Sequence, residues 1–431
     1  MAKAEKTAVV PRLRFPEFAE GGWSETTLSE LATFVDERVG ATECVPYTVT
    51  SGVGLVSQVE KLGRTIAGNS LKNYIVLRRD DFAYNKSATK AYPEGYIARY
   101  VGDERAAVPN SIFTCFRSDE KKVEPAYLDY LFASNLHGKW LRNFITVGAR
   151  AHGSLNVSDA DLMALPVPLP VGASSLQEQK KIADCLTSLD ELIAAQGRKV
   201  EALKTSKRGL MQQLFPREGE TRPRLRFPEF RDAPEWEEHQ LDSCFSHIRN
   251  GFVGTATPFY VIGGVPYLQG KNVKKGRIDP TGLVTISEDF HCKQKKSQLN
   301  LGDIVMVQSG HVGECALIDE DYVGANCHAL IIMTPVKRQH SPFFVHSFES
   351  DVGARLIAKI TTGNTIKHIL ASEVKGLIVR VPALSEQQRI SDFLSSLDEH
   401  IAGESRSLDA LRTHKSGLMQ QLFPSQEDVE V

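Results

Sequence analysis

LQEQKKIADCLTSLDELIAAQGRKVEALKTSKRGLMQQLFP, residues Leu176–Pro216, is written a second time as LSEQQRISDFLSSLDEHIAGESRSLDALRTHKSGLMQQLFP, residues Leu384–Pro424. The copies align without a gap at a constant offset of 208, and 25 of 41 positions are identical. Chance does not produce that agreement, so the chain carries an internal duplication. A second pair of identical words, PRLRFPEF, stands at Pro11–Phe18 and Pro223–Phe230. The order is therefore leader, long segment, repeated stretch, then the same again.

The repeated stretch has a helical seam. Ile182, Leu186, Leu189, Ile193, Gln196, Val200, Leu203, Lys207, Leu210 and Leu214 are spaced 4-3-4-3, the heptad period of a coiled coil. Its twin runs Ile390, Leu394, Leu397, Ile401, Glu404, Leu408, Leu411, Lys415, Leu418, Leu422. Both seams carry a polar residue at the same two places, Gln196/Glu404 and Lys207/Lys415. Such residues reduce stability but can specify register. Ser175-x-x-Glu178 and Ser385-x-x-Gln388 read as capping boxes, and Pro216 and Pro424 suit the ends. Each helix is then about 40 residues, roughly 60 Å at 1.5 Å per residue. Two such seams in one chain are expected to bury each other as an antiparallel pair. Gly209 and Gly417 sit inside the helices at a cost of roughly 0.5–1 kcal/mol relative to alanine. They suggest either close approach of another backbone, the other helix or a partner, or a mild kink.

The expected fold class is α+β: two mixed, strand-rich domains separated by two long antiparallel coiled-coil helices, related by a pseudo-twofold internal repeat. The boundaries read as an N-terminal arm at 1–22, a first domain at 23–172, helix 173–216, a linker with the second leader at 217–235, a second domain at 236–382, helix 383–424, and an acidic tail at 425–431 expected to be disordered. Arg12, Arg14, Phe15 and Phe18 of the arm are expected to clip onto the chain's own domain. In the first domain strands are expected at Tyr47–Thr50, Gly54–Val59, Tyr74–Leu77, Phe82–Asn85, Tyr96–Tyr100 and Ile112–Phe116, with a helix at Pro125–Phe144. In the second they are expected at Pro266–Leu268, Leu283–Ile286, Asp303–Gln308, Ala316–Asp319 and Leu330–Thr334, with a helix at Phe343–Ile360. The closing runs ITVGARAHGSL (145–155) and ITTGNTIKHIL (360–370) echo each other. Helices and leaders agree while the domains between them diverge, so the domains are where the chain expresses specificity.

Composition bounds the class. At 431 residues, 42% apolar and 24% charged, the chain has room for two or more globular domains. MAKAEKTAVV has no apolar signal core, and runs such as Ala329–Met333 are too short to span a bilayer, so a cytoplasmic protein without a membrane anchor is expected. Seven scattered cysteines, none in a C-x-x-C pair, read as reduced thiols rather than zinc ligands or disulfides. The net charge of −2 argues against a non-specific nucleic-acid coat but not against a sequence reader, for which local charge decides. No P-loop, H-E-x-x-H or G-x-S-x-G is present, and Gly52-Val53-Gly54 has the wrong continuation for a dinucleotide loop. His311 and His328 lack a carboxylate at useful spacing, and a turn accounts for Asp80-Asp81 and for Asp303. No catalytic residue and no metal site is expected on this chain.

The plan of two variable domains, each followed by a heptad helix that ends near GLMQQLFP, resembles the specificity (S) subunit of type I restriction-modification systems. The words that carry the resemblance are Tyr47–Gln58 (YTVTSGVGLVSQ), Asp81–Ser87 (DFAYNKS), Gly264–Leu268 (GVPYL), Leu301–Gly313 (LGDIVMVQSGHVG), and the helix openings Leu176–Ile182 and Ser385–Ile390. The resemblance implies a non-catalytic DNA-recognition subunit. Each target-recognition domain would read one half of an asymmetric bipartite site, and the helices would set the unspecified spacer. Two methyltransferase subunits would bind S-adenosylmethionine and methylate adenine N6, and two restriction subunits would use ATP and Mg2+, all on partner chains. A methylation-only system, or a scaffold binding protein rather than DNA, are the alternatives.

Readers of base edges are chiefly Arg, Lys, Asn and Gln, and phosphate contacts position them. In the first domain the candidates are Ser51, Gln58, Tyr84, Asn85, Lys86, Ser87 and Lys90. In the second they are Gln269, Lys271, Asn272, Lys274, Lys275, Lys293, Lys295, Lys296, Gln308, Ser309 and His311. The loops after the strands that begin at Asp81 and Asp303 are expected to enter the grooves.

Overall fold

A computed structural model describes residues 10–50, 52–145 and 155–424. It divides into two compact units, Met1–Gln196 with Ser407–Val431, and Gly197–Arg406. Each unit therefore takes one variable domain, the first half of one long helix and the second half of the other. The acidic tail, Ser51 and most of the run at 145–155 lie outside the described residues.

The two units share one sheet framework, although Ile75–Leu77 extends the second sheet in unit 1 only and Val273–Lys274 pairs with Arg277–Ile278 in unit 2 only. In unit 1 a four-stranded antiparallel sheet has the order Ala32–Phe34, Phe113–Ser118, Asp81–Asn85, Tyr96–Arg99. In unit 2 the same order is filled by Phe245–Asn250, Leu330–Pro335, Ile304–Val307 and Cys315–Leu317. A second sheet has Val45–Thr50 antiparallel to Gly54–Ser57 and parallel to Ala106–Val108, matched by Tyr260–Leu268 against Val284–Ile286 and Asn326–Cys327. An entry strand pairs with an exit strand in each, Trp23–Thr27 with Pro166–Pro170 and Glu237–Gln240 with Ile378–Val381. The duplication thus extends through domains whose words have diverged.

All eleven expected strands are present within a few residues. The two expected domain helices are each broken in two. Pro125–Ala133 and Leu136–Leu141 are separated at Asn135, whose φ of 65° is a left-handed conformation that asparagine tolerates. Ser341–Glu349 and Asp351–Ile360 are separated at Ser350, whose hydroxyl accepts from Gly353 N at 3.1 Å and starts a new helix.

The long helices span Ser175–Leu214 and Leu384–Leu422. Ser175 and Ser385 are already helical, so neither stands at the N-cap position that a capping box requires. The Ser175 hydroxyl donates to Pro170 O, and Glu178 and Glu386 go to the leader arginines. Arg14 forms a bidentate pair with Glu178 at 2.9 and 2.8 Å, and Arg226 with Glu386 at 2.7 and 2.7 Å. Leu13 N donates to Gln421 O and Leu225 N to Gln213 O, each at 2.9 Å. The leaders thus clip onto their own units, each tying the start of one long helix to the end of the other.

The seams are buried or half-buried at every apolar position, but they serve two purposes. Ile182 and Leu186 join the domain core of unit 1 with Trp23, Tyr127 and Leu165, alongside Leu422 and Phe423. Ile390 and Leu394 do the same in unit 2 with Trp236, Phe343 and Leu377, alongside Leu214 and Phe215. Full burial of each such side chain contributes roughly 1.5–3 kcal/mol. Leu189, Ile193, Leu203, Leu397, Ile401 and Leu411 are only half-buried, as a narrow two-helix seam requires, while Val200 and Leu408 are buried. Within unit 2 the helix halves run in opposite directions, since Lys199 meets Glu404 at 2.6 Å and Lys207 meets Asp398 at 2.6 Å. In unit 1 Lys415 meets Asp190 at 2.6 Å, the same pair carried to the other copy. An alanine Cβ at Gly209 or Gly417 would have nothing within 4 Å, so the second helix does not approach closely there.

Candidate nucleic-acid interface

Each unit anchors its candidate loop with a buried aspartate at the root of the preceding strand. Asp81, 0% exposed, accepts from Arg117 at 2.6 and 2.8 Å and from Arg78 N at 2.7 Å. Asp303, also 0% exposed, accepts from Asn300 N at 2.9 Å and lies 3.7 Å from Arg249. These carboxylates close turns, as expected. The strand after each leads into the loop, and the closing run of the domain then docks on that loop: Leu155 N donates to Lys86 O at 2.7 Å, and Ile369 N to Gln308 O at 3.1 Å.

Four candidate readers are buried and turned inward, which corrects the expectation for them. Gln58 accepts from Ile66 N at 2.9 Å and closes its own loop. Tyr84, 0% exposed, donates its hydroxyl to Glu94 O at 2.9 Å from within the core. Asn272, 0% exposed, holds the turn through Gln269 N, Asp279 O and Thr281 O. Gln308 is 7% exposed, with its amide nitrogen 3.5 Å from His368 Nε2. Polar residues at strand ends and tight turns satisfy the backbone they would otherwise leave unpaired. Ser51 lies outside the described residues.

The rest are available in differing degree. Asn85, Lys86 and Ser87 are half-buried; Asn85 Oδ1 accepts from Ser87 N at 3.0 Å and Lys86 pairs with Asp159 at 3.0 Å. Gln269 is half-buried and donates to the Tyr260 hydroxyl at 2.8 Å. Lys90, Lys271, Lys274, Lys275, Lys293, Lys295, Lys296, Ser309 and His311 are exposed. Lys274 lies 2.6 Å from Asp279 and, through that hydrogen bond first, holds its carboxyl well below the usual range. Lys275 borders a cavity it shares with His346, Glu349 and Asp398.

Two features escaped sequence reasoning. His368 places Nδ1 2.8 Å from Ser309 Oγ and so ties the closing run to the loop; the echo between the two closing runs was its only signal. The second is a gathering of distant residues. His346, Glu349 and Asp398 bring potential ligand atoms within 4.8 Å of one another. Lys207 Nζ already sits 2.6 Å from both Asp398 oxygens and 3.8 Å from Glu349, so an ammonium occupies the place a metal ion would take. Its counterpart in unit 1 joins Tyr130, Thr187, Asp190 and Lys415, with the Tyr130 hydroxyl 2.8 Å from Asp190. These are structural junctions between domain and helices.

Three buried thiols are not poised for chemistry. Burial pushes Cys315 and Cys115 well above the ordinary range and Cys327 up to about 12. His328, whose Nδ1 lies 3.1 Å from the Tyr267 hydroxyl, is lowered by burial. Among the described residues no helix is long and apolar enough to cross a membrane.

Residues 234–413 match the family described as the type I restriction modification DNA specificity domain. The chain is 25% identical over 302 residues to the type I restriction enzyme MjaVIII specificity subunit of Methanocaldococcus jannaschii, covering 68% of this chain and 69% of that protein. It is also 25% identical over 333 residues to a protein assigned as the MjaX specificity subunit of the same organism, covering 76% and 74%. In fold it is similar to the S subunit of a type I restriction-modification system from M. genitalium, with a TM-score of 0.56, 15% identity and coverage of 97% of this chain and 100% of that one. A chain from a structure of type I restriction-modification complex assembly and conformational transition gives a TM-score of 0.57 at 16% identity, with coverage of 96% and 100%. The α+β architecture is repeated in each unit; residues 234–413 carry a type I restriction modification DNA specificity domain, and the chain as a whole is similar in sequence to type I specificity subunits and in fold to the solved chains above.

Proposed function

We propose that the two variable domains each read one half of an asymmetric, bipartite double-stranded DNA site, and that the long helices set the unspecified spacer between the halves. The observation that carries this reading is the repeat itself: one strand order is kept in both units while the loops on it differ. A duplicated frame with divergent loops is what two different half-sites demand. Two methyltransferase subunits dock on the helices, where Gly209 and Gly417 leave room for a partner's backbone. Those partners bind S-adenosylmethionine and methylate adenine, and two restriction subunits supply ATP- and Mg2+-dependent cleavage. This chain contributes no catalytic group, and the assembly works in the cytoplasm.

The test exchanges domains. Replacing residues 236–382 with a second copy of 23–172 gives a chain with two identical readers on the same helices. Methylation directed by it, with the cognate methyltransferase, should fall on a symmetric split site built from one wild-type half. A site that still contains both original halves would refute the assignment of one half to each domain.

A further inference from the structure

Gln308–Gly313 and Thr362–His368 lie far apart in sequence, and unit 2 locks them together. Thr362 N donates to His368 O at 2.9 Å and His368 N to Thr362 O at 2.8 Å, which closes a hairpin. Gly310 N donates to Lys367 O at 3.2 Å, Ile369 N to Gln308 O at 3.1 Å, and His368 Nδ1 lies 2.8 Å from Ser309 Oγ. Gly363 makes the turn possible. Its φ is +93°, and a Cβ there would fall 2.2 Å from Ile366 O. The tip residues Asn364, Thr365, Ile366 and Lys367 are all exposed, Ile366 at 69%, and among the described residues their side chains make no hydrogen bond.

The chemistry of the tip suits a base edge better than the basic tract does. Neither loop contains an aspartate or glutamate, whereas Asp279, Glu288 and Asp289 interrupt the lysines at 271–296. Carboxylates so close to a polyanion oppose binding. An asparagine carboxamide can pair with adenine in two hydrogen bonds, an aliphatic or threonine methyl can meet the thymine methyl, and lysine can reach guanine or phosphate. A hairpin held on both strands presents them without a large ordering cost on binding.

We infer that Gly363–Lys367 is the base-reading tip of unit 2, with Asn364 as its principal reader, and that His368 and Gln308 are positioning residues that hold it. This rests on the DNA-reading function proposed above and names the element that performs it.

The experiment maps methylated adenines genome-wide in cells expressing the chain with its cognate methyltransferase. Asn364→Ala should relax at least one position in one half-site, with discrimination falling by about tenfold, and leave the other half unchanged. Gly363→Ala removes no reading side chain but breaks the turn, and should relax the same half-site. Wild-type motifs and wild-type extents from Asn364→Ala, Ile366→Ala and Lys367→Ala, each exposed and outside the core, would overturn the inference while leaving the domain a DNA reader. Absence of any split motif with the wild-type chain would overturn both.

Discussion

Removing the Glu386 carboxylate should unfold unit 2 at a markedly lower temperature. Arg226 holds that carboxylate through two bonds of 2.7 Å and also donates to Ala233 O at 2.8 Å and Pro234 O at 2.9 Å. The two side chains are only 8% and 2% exposed. Glu386→Ala leaves a buried guanidinium without its counter-charge, a change that costs about 3–5 kcal/mol. For a unit of this size each kcal/mol lowers Tm by about 2–4 °C, so the unit 2 transition should fall by roughly 10 °C. Replacing both partners, Arg226→Met with Glu386→Leu, should cost less than either single change. It removes both desolvated charges and forfeits only the two carbonyl contacts, about 1 kcal/mol each. Scanning calorimetry of wild type, both singles and the double gives the coupling directly. The Arg14–Glu178 clip, 9% and 3% exposed, supplies the control, because Glu178→Ala should move only the unit 1 transition. Single substitutions within 1 °C of wild type, or a double as damaging as the sum of the singles, would show that the leaders do not hold the helix ends as argued.

Three further outcomes are expected. Burial lowers His137 in unit 1 from 6.5 to about 4, so the unfolded state takes up a proton that the folded state refuses; stability is full above pH ~6.5 and falls by about 3 kcal/mol as pH drops through ~4. His137→Leu should flatten that slope in urea titrations at stepped pH. Because Leu13 N–Gln421 O repeats the Leu225 N–Gln213 O contact, a permutant that joins Pro424 to Pro11 by six residues and opens the chain within 217–222 should fold with the wild-type circular dichroism spectrum. Gly209→Ala meets no neighbour within 4 Å and should stabilise the isolated chain by about 0.5–1 kcal/mol while weakening co-purification of the methyltransferase subunit.

Legibility followed periodicity. The seam was readable because a heptad repeats every turn pair, and the strands because Phe82–Asn85 or Leu330–Thr334 alternate or run apolar between turn residues. The partners of the polar seam residues were not readable. That Lys207 meets Asp398 depends on the antiparallel register of a residue 191 positions away. The capping boxes were not met either: Glu178 has a helix-start spacing, yet Ser175 is already helical, and a leader arginine 164 positions earlier pairs with Glu178. Among the candidate readers, residue type alone could not separate Asn272, which closes a turn, from Asn364, which stands free on a hairpin tip. Orientation at strand ends comes from tertiary hydrogen bonding, and a single sequence does not encode it locally. The echo of ITVGARAHGSL in ITTGNTIKHIL marked the hairpin region, but not that His368 clamps it.

The central claim is that one chain reads two different half-sites at a set spacing. Co-expression of the chain with its methyltransferase partner, followed by single-molecule sequencing of methylated adenines across the host genome, tests it most directly. The account predicts one asymmetric motif in two parts separated by a constant gap. A stable complex that leaves no new methylation, or methylation on a continuous undivided motif, would contradict it.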